Sequence, residues 1–449
     1  EEPWMKWSEE WLDNFKIRLS AGSMGNGNVD PYSYTSEMTV ATASDIVLGG
    51  GLPSYTTVGS TVPVSLTWEK STTYDLGLDL DFLNNRLSFS GDYYRRYTTD
   101  MYTPSISLPS VYGTTSPKGN NAELRTTGWE LSLTWRDSFK LGGKPFDYSI
   151  KAMVWDNRTV VTKYENATRS LGTLKGYIQN GGSPSDFYEG MELGEMWGYT
   201  VAGLFRDQAD IDSSATHDFT QASDKVTRPG QVKIADLDHN GNIDPGAFTA
   251  DDHGDLSIIG NINPHYMFGV NLAANWNGIG LSVFLQGVMK RDWYPSPDSG
   301  YFWGKYARPF MWVLGIHNYT DDMYSEEKNN WDTAYWPRMT TYQSNSSYSW
   351  TKLLEIPNTR YKQNAAYLRV KNIQVDYTFP KALCQKIRLG GLKIYLSGEN
   401  LFTFTPLHKY APNFDPEALG YDTDFSSTAG DGYTYPVLKS VTLGVNITF

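Results

Sequence analysis

The sequence predicts an all-β chain of the transmembrane antiparallel β-barrel class, and three observations carry that prediction. Hydrophobicity recurs with period two in ten separate segments. The connections between those segments alternate strictly between short and long. Aromatics and glycine are abundant while charge is scarce: 14% aromatic, 41 Gly and 20% charged among 449 residues, against roughly 25% charged in a typical soluble domain.

The first segment alternates through Phe15, Ile17, Leu19 and Ala21. In the second, Tyr74, Leu76, Leu78, Leu80 and Phe82 interleave with Asp75, Gly77, Asp79 and Asp81. The third holds Leu87, Phe89, Gly91 and Tyr93, the fourth Trp129, Leu131, Leu133 and Trp135. Phe146, Tyr148, Ile150, Ala152 and Val154 make the fifth; Tyr266, Phe268, Val270, Leu272, Ala274 and Trp276 make the sixth. Ile279, Leu281, Val283 and Leu285 follow, then Ile373, Val375, Tyr377 and Phe379, then Leu392, Ile394 and Leu396. The tenth runs through Val441, Leu443, Val445, Ile447 and Phe449.

Alternation alone also fits a soluble β-sandwich with one wet face. The connections decide between them. Leu83-Asn84-Asn85, residues 137–144, Asn277-Gly278 and residues 380–386 are short. The others are long, at about 25–65, 103–121, 160–264, 292–364 and 405–435. Short periplasmic turns alternating with long extracellular loops are the pattern of outer-membrane barrels, and such loops are uncommon inside a compact soluble domain. Aromatics at the ladder ends, such as Tyr74 and Phe82 or Trp129 and Trp135, suit the two interfacial girdles. Asp75, Asp79, Asp81, Asn271, Asn275, Gln374 and Asp376 then face a wet or plugged lumen.

Several classes are disfavoured. No run approaches the roughly 20 apolar residues of a membrane helix, and mean hydropathy is −0.46. A net charge of −12 argues against a nucleic-acid partner, which wants a basic face. Cys384 is the only cysteine, so neither an intrachain disulfide nor a thiolate cluster is expected. The opening Glu1-Glu2-Pro3-Trp4 shows neither Met nor a signal peptide, which suggests a processed chain or a fragment.

The sharpest local motif is Asp236-Leu237-Asp238-His239-Asn240-Gly241-Asn242-Ile243-Asp244. Oxygen donors fall at positions 1, 3, 5 and 9 with Gly at 6 and the Asn242 carbonyl at 7, the front of an EF-hand-type Ca²⁺ loop. Ala247 stands where the bidentate Glu belongs, so Asp251, Asp252 or Asp255 would have to close the site. A plain cluster of Asx turns explains the same residues without a metal. A second feature is aromatic density after the seventh strand, including Trp293, Tyr294, Trp303 and Trp312. Such rings suit sugar faces or a partner protein, though self-packing of the loop competes for most of them. The six histidines lack H-E-x-x-H spacing and no G-x-S-x-G occurs, so no enzymatic role is expected. Phe449, a terminal aromatic on the last strand, reads as a barrel-assembly signal or as a girdle residue.

Short blocks along the chain resemble one family. Leu66-Thr67-Trp68-Glu69-Lys70 before Leu76-Gly77-Leu78-Asp79, then Asp92-Tyr93-Tyr94-Arg95-Arg96, Asn121-Ala122-Glu123 and Gly128-Trp129-Glu130 come first. Ile259-Gly260-Asn261 with Pro264, the run from Tyr367 to Ile373, and Ser397-Gly398-Glu399-Asn400-Leu401-Phe402 follow. Asp415-Pro416-Glu417, Tyr435-Pro436 and Asn446-Ile447-Thr448-Phe449 close the series. In that order they are similar to the C-terminal half of SusC-like (SusC/RagA) TonB-dependent transporters of the Bacteroidetes outer membrane. The resemblance implies a 22-stranded plugged barrel, of which about ten C-terminal strands lie here, while the plug and TonB box do not. It also implies TonB-driven import of oligosaccharides under a SusD-like lipoprotein lid, with oligopeptides as the alternative cargo. A secreted Ca²⁺-binding β enzyme or lectin and a passive porin are the readings of other classes.

Overall fold

The structure, a computed structural model, describes residues 11–27, 35, 38–58, 66–104, 118–171, 187–217, 227–295, 302, 322–338, 357–419 and 437–449. The ten alternating segments are all strands. They are β1 (Leu12–Asn26), β2 (Glu69–Phe82), β3 (Leu87–Pro104), β4 (Lys118–Leu141) and β5 (Lys144–Lys163), then β6 (His265–Trp276), β7 (Ile279–Lys290), β8 (Tyr367–Thr378), β9 (Gly391–Phe404) and β10 (Ser440–Thr448). Each pairs antiparallel with the next in chain order, giving one 10-stranded sheet. This is a barrel wall laid out strand after strand.

Register holds like faces together. Leu19 pairs with Leu76, Leu76 with Tyr93, and Tyr93 with Trp129. That face is bare: Leu19 is 79% exposed and Leu443 72%. A soluble sandwich would bury such a row; a barrel turns it to lipid. On the opposite face Arg18 donates to Asp79 at 2.8 Å and pairs with Asp92 at 2.8 Å, and Ser90 donates to Asp79 at 2.7 Å. Lys393 meets Asp376 at 3.0 Å on the same lumen side.

The tight turns follow from residue type. Asn277 and Gly278 both have positive φ, at 48° and 88°, the geometry of a two-residue hairpin that follows sheet twist. A Cβ on Gly278 would lie 2.7 Å from the Thr378 carbonyl, so only glycine fits there. The β8–β9 turn differs from the expected plain connection, because residues Lys381–Lys386 form a short helix that buries Cys384.

β4 and β5 are the longest of the strands that outrun their apolar ladders. β4 has 24 residues and β5 has 20, or roughly 79 and 66 Å at about 3.3 Å per residue. Alternation stops marking a strand once it leaves the bilayer, since nothing there need be apolar. The ladder nevertheless continues to Lys118 and Lys163, and the expected 103–121 loop is correspondingly shorter.

The hydrophobic core lies mostly among the long loops rather than in the sheet. Within 160–264, Glu195–Tyr199 pairs with Leu256–Asn261, and Val201–Leu204 with Val232–Ile234. Leu171, Tyr199, Ile243, Leu256, Tyr361 and Leu407, from three different loops, are buried in one cluster.

Candidate functional site

The acidic loop folds back on itself through Asx turns. Asp238 accepts from the Asn240 amide at 3.0 Å, Asn240 from Asn242 at 2.7 Å, and Asp244 from Gly246 at 2.7 Å. Asp236 Oδ2 accepts from the Gly241 amide at 3.0 Å. Of the three acids that might close the loop, the fold selects Asp255. Its carboxylate takes the Leu237 amide at 2.6 Å and the Asp244 amide at 2.9 Å. Asp251 turns away to pair with Arg169.

Carboxylate oxygens of Asp236, Asp238 and Asp255 come within 4.8 Å of one another. Burial pushes the Asp255 carboxyl above its usual range; its two amide donors oppose this, and the Asp238 and Asp236 charges add to it. Asp236 Oδ1 is buried and, among the described residues, has no hydrogen-bond partner. Three hard oxygen groups and an unsatisfied lone pair are donors that fit Ca²⁺ better than a softer metal. Asn240, Asn242 and Asp244 are exposed or half-buried on the flank of this trio.

The aromatic loop residues divide. Trp293 and Tyr294 are 2% and 3% exposed, so they pack rather than present a face. Trp293 lies 5.0 Å from the Phe414 ring and 6.1 Å from Phe302, and Tyr294 Oη accepts from Asn358 at 2.7 Å. Trp303 and Trp312 lie outside the described residues. Nearby, Tyr335 stacks on Tyr410 at 3.6 Å and Trp336 on Tyr361 at 5.6 Å. The rings thus weld the 292–364 loop to the last loop.

Sequence reasoning missed the buried ion network that anchors this assembly. Arg369, on β8, reaches Asp415 at 2.5 Å and Glu417 at 3.0 Å, and Lys371 reaches Glu417 at 2.6 Å. Arg291 at the end of β7 donates to the Pro416 and Leu419 carbonyls at 2.9 and 3.0 Å. The signal was available: an Arg and a Lys two apart on one strand, and two acids two apart in the loop after β9. A second unforeseen unit is His265, buried, whose Nδ1 lies 2.8 Å from Asp156. Phe449 sits past the end of β10, 95% exposed.

The chain matches the family described as TonB dependent receptor-like, beta-barrel, over residues 7–401. It is 26% identical to TonB-dependent receptor P3 of Formosa agariphila, over 98% of this chain and 40% of that protein. It is 24% identical to TonB-dependent receptor SusC of Bacteroides thetaiotaomicron, over 98% of this chain and 38% of that protein. Among solved structures, the RagAB peptide importer in its open-open state superposes with a TM-score of 0.65 at 20% identity, covering 98% of this chain and 40% of that one. The chain therefore spans well under half the length of these relatives.

Proposed function

The chain belongs to the TonB-dependent receptor-like β-barrel family, and from that premise we propose that it is the C-terminal wall of a SusC-like outer-membrane importer of oligosaccharides. A SusD-like surface lipoprotein would close the extracellular mouth, and TonB would act through the N-terminal plug and barrel portion. These residues supply wall, rim and docking surface. The family is one of receptors and transporters rather than enzymes.

One observation carries the reading. Ten consecutive strands expose apolar side chains on one face, while the long loops at one end build a packed core of their own. A solid rim is what a hinged lid needs as a seat. Oligopeptide cargo is the second reading, favoured by the description of the superposing RagAB structures as a peptide importer. Ca²⁺ at Asp236, Asp238 and Asp255 is a structural element of the same reading: the ion would satisfy Asp236 Oδ1 and hold residues 232–256 in the rim.

The test is gentle detergent extraction of the full-length receptor from outer membranes, followed by mass spectrometry of everything that comes with it. A co-purifying surface lipoprotein carrying an oligosaccharide is the expected result. A lipoprotein carrying peptide selects the second reading. Recovery without detergent and without a lipoprotein would overturn both.

A further inference from the structure

We infer that the lipid-facing wall carries a binding site for a phosphate-bearing lipid of the outer leaflet, built by Arg95, Arg125 and Arg158. The inference rests on the barrel reading for which face meets lipid and for which end of the wall lies outside the cell.

The register places all three arginines on the apolar face. Tyr74 pairs with Arg95, Arg95 with Thr127, and Thr127 with Arg158. One row nearer the loops, Tyr97 pairs with Arg125. None of the three registers breaks between these rows and the lipid-facing Leu76, Tyr93, Leu131 and Val154, so strict alternation keeps the arginines on that side. Arg95 and Arg158 are two strands apart, roughly 10 Å between backbones at about 4.8 Å per strand, and Arg125 sits diagonally between them at about 7–8 Å from each.

Height on the wall identifies the leaflet. β3 leaves the short turn at Leu87 and rises to the long-loop end at Pro104. Arg95 stands one row above Tyr93 and Trp129, the aromatic level where bilayer core gives way to headgroups. Cationic side chains at that depth on the outer face meet lipid phosphate.

The arginines also lack the carboxylate partners that a protein-only role would supply. All three are exposed. Among the described residues none has a carboxylate within ion-pair distance; Lys70 and Lys163 nearby do, through Asp100 and Glu123. Arg95 instead hydrogen-bonds tyrosine hydroxyls, that of Tyr97 and that of Tyr93 at 3.1 Å. Three like charges this close repel one another unless an anion lies between them. Guanidinium forks suit phosphate oxygens better than ammonium groups do.

A seat for the hydrocarbon continues the site. A groove of about 660 Å³ opens on the same face beside Arg95, walled by Leu19, Ala21, Tyr74, Leu76, Tyr93 and Tyr97. Phosphate at the arginines with an acyl chain in this groove satisfies both halves of an anionic lipid.

The experiment uses the full-length receptor in nanodiscs of zwitterionic lipid, titrated with purified lipid A and read by native mass spectrometry. The Arg95→Gln/Arg125→Gln/Arg158→Gln variant should bind on the order of 100-fold more weakly, since each surface arginine contributes about fivefold. Arg→Lys at the same three positions should recover part of the loss. Dephosphorylated lipid A should bind the unaltered receptor as weakly as lipid A binds the Gln variant. Heat-modifiable gel mobility confirms that each variant is a folded barrel, so a failed barrel reading is distinguished from a failed site. Equal lipid A binding by the Gln variant, equal binding of dephosphorylated lipid, or a protein in place of lipid on this face would overturn the inference.

Discussion

Arg369 on β8 lies 2.5 Å from Asp415 in the loop after β9, across 46 residues of chain. Both side chains are nearly sealed, at 3% and 9% exposure. Since Arg369 also holds Glu417, one guanidinium fastens the loop after β9 to the wall.

Removing one partner of such a pair leaves a buried charge unpaired. Arg369→Ala should loosen the loop around residues 405–419 by about 3–5 kcal/mol of local stability. Hydrogen exchange should show lost protection there with the strands intact. Burial pushes the Asp415 carboxyl up, but its Arg369 and backbone donors outweigh this and its pKa is lowered. A depressed carboxylate stabilises above its undocked pKa. Docking should therefore hold down to pH of about 4 and fail as pH drops through the lowered value.

His217 gives a second probe of the same sign, near neutral pH. It is buried, and its Nε2 accepts the Ile234 amide at 2.9 Å, which requires a neutral ring. Burial lowers its pKa, the Ala215 carbonyl opposes this, and Lys233 lowers it further. A histidine depressed in the fold contributes stability above its free value and loses it below. Protection of residues 201–243 should fall as pH drops below about 6.5. His217→Gln should flatten that profile.

The acidic loop responds to metal if the Ca²⁺ proposal holds. Chelation should raise exchange across residues 236–256, and Asp236→Asn/Asp238→Asn should do the same without chelator. A loop indifferent to both treatments would identify the Asx turns as sufficient.

The stacked rings supply the loop core. Trp336→Ala, which removes contacts to Tyr361, Tyr335 and Phe302, should cost about 3–5 kcal/mol locally. Protease cuts should appear in the 292–364 loop while the barrel keeps its gel mobility.

On the wall, side matters more than position. Leu133→Arg, facing lipid well below the Trp129 row, should cost about 2–4 kcal/mol of barrel stability. Its neighbour Ser132→Arg faces the lumen and should cost far less. Urea unfolding in lipid vesicles compares the two.

The strands were legible because lipid imposes period two wherever it touches the chain. Their extensions were not: beyond Trp129 and Val154 no solvent demands alternation, so β4 and β5 look like loops in sequence while continuing as strands. The acidic motif was legible as a spacing, and its closure by Asp255 was one of three candidates until the fold turned Asp251 toward Arg169. Trp293 looked available for a ligand because sequence cannot say that Phe414, over a hundred residues on, covers it. Arg95, Arg125 and Arg158 were hidden in runs that alternation alone ends early. Only cross-strand register assigns them a face.

The lipid-facing assignment is tested most directly by spin labels placed singly at Asp75, Leu76, Gly77 and Leu78 of the full-length receptor in bilayers. Oxygen should reach the labels at Leu76 and Leu78, and a water-soluble nickel chelate those at Asp75 and Gly77, alternating with period two. Equal access of the nickel chelate to all four would contradict a barrel wall and return the chain to a soluble β protein.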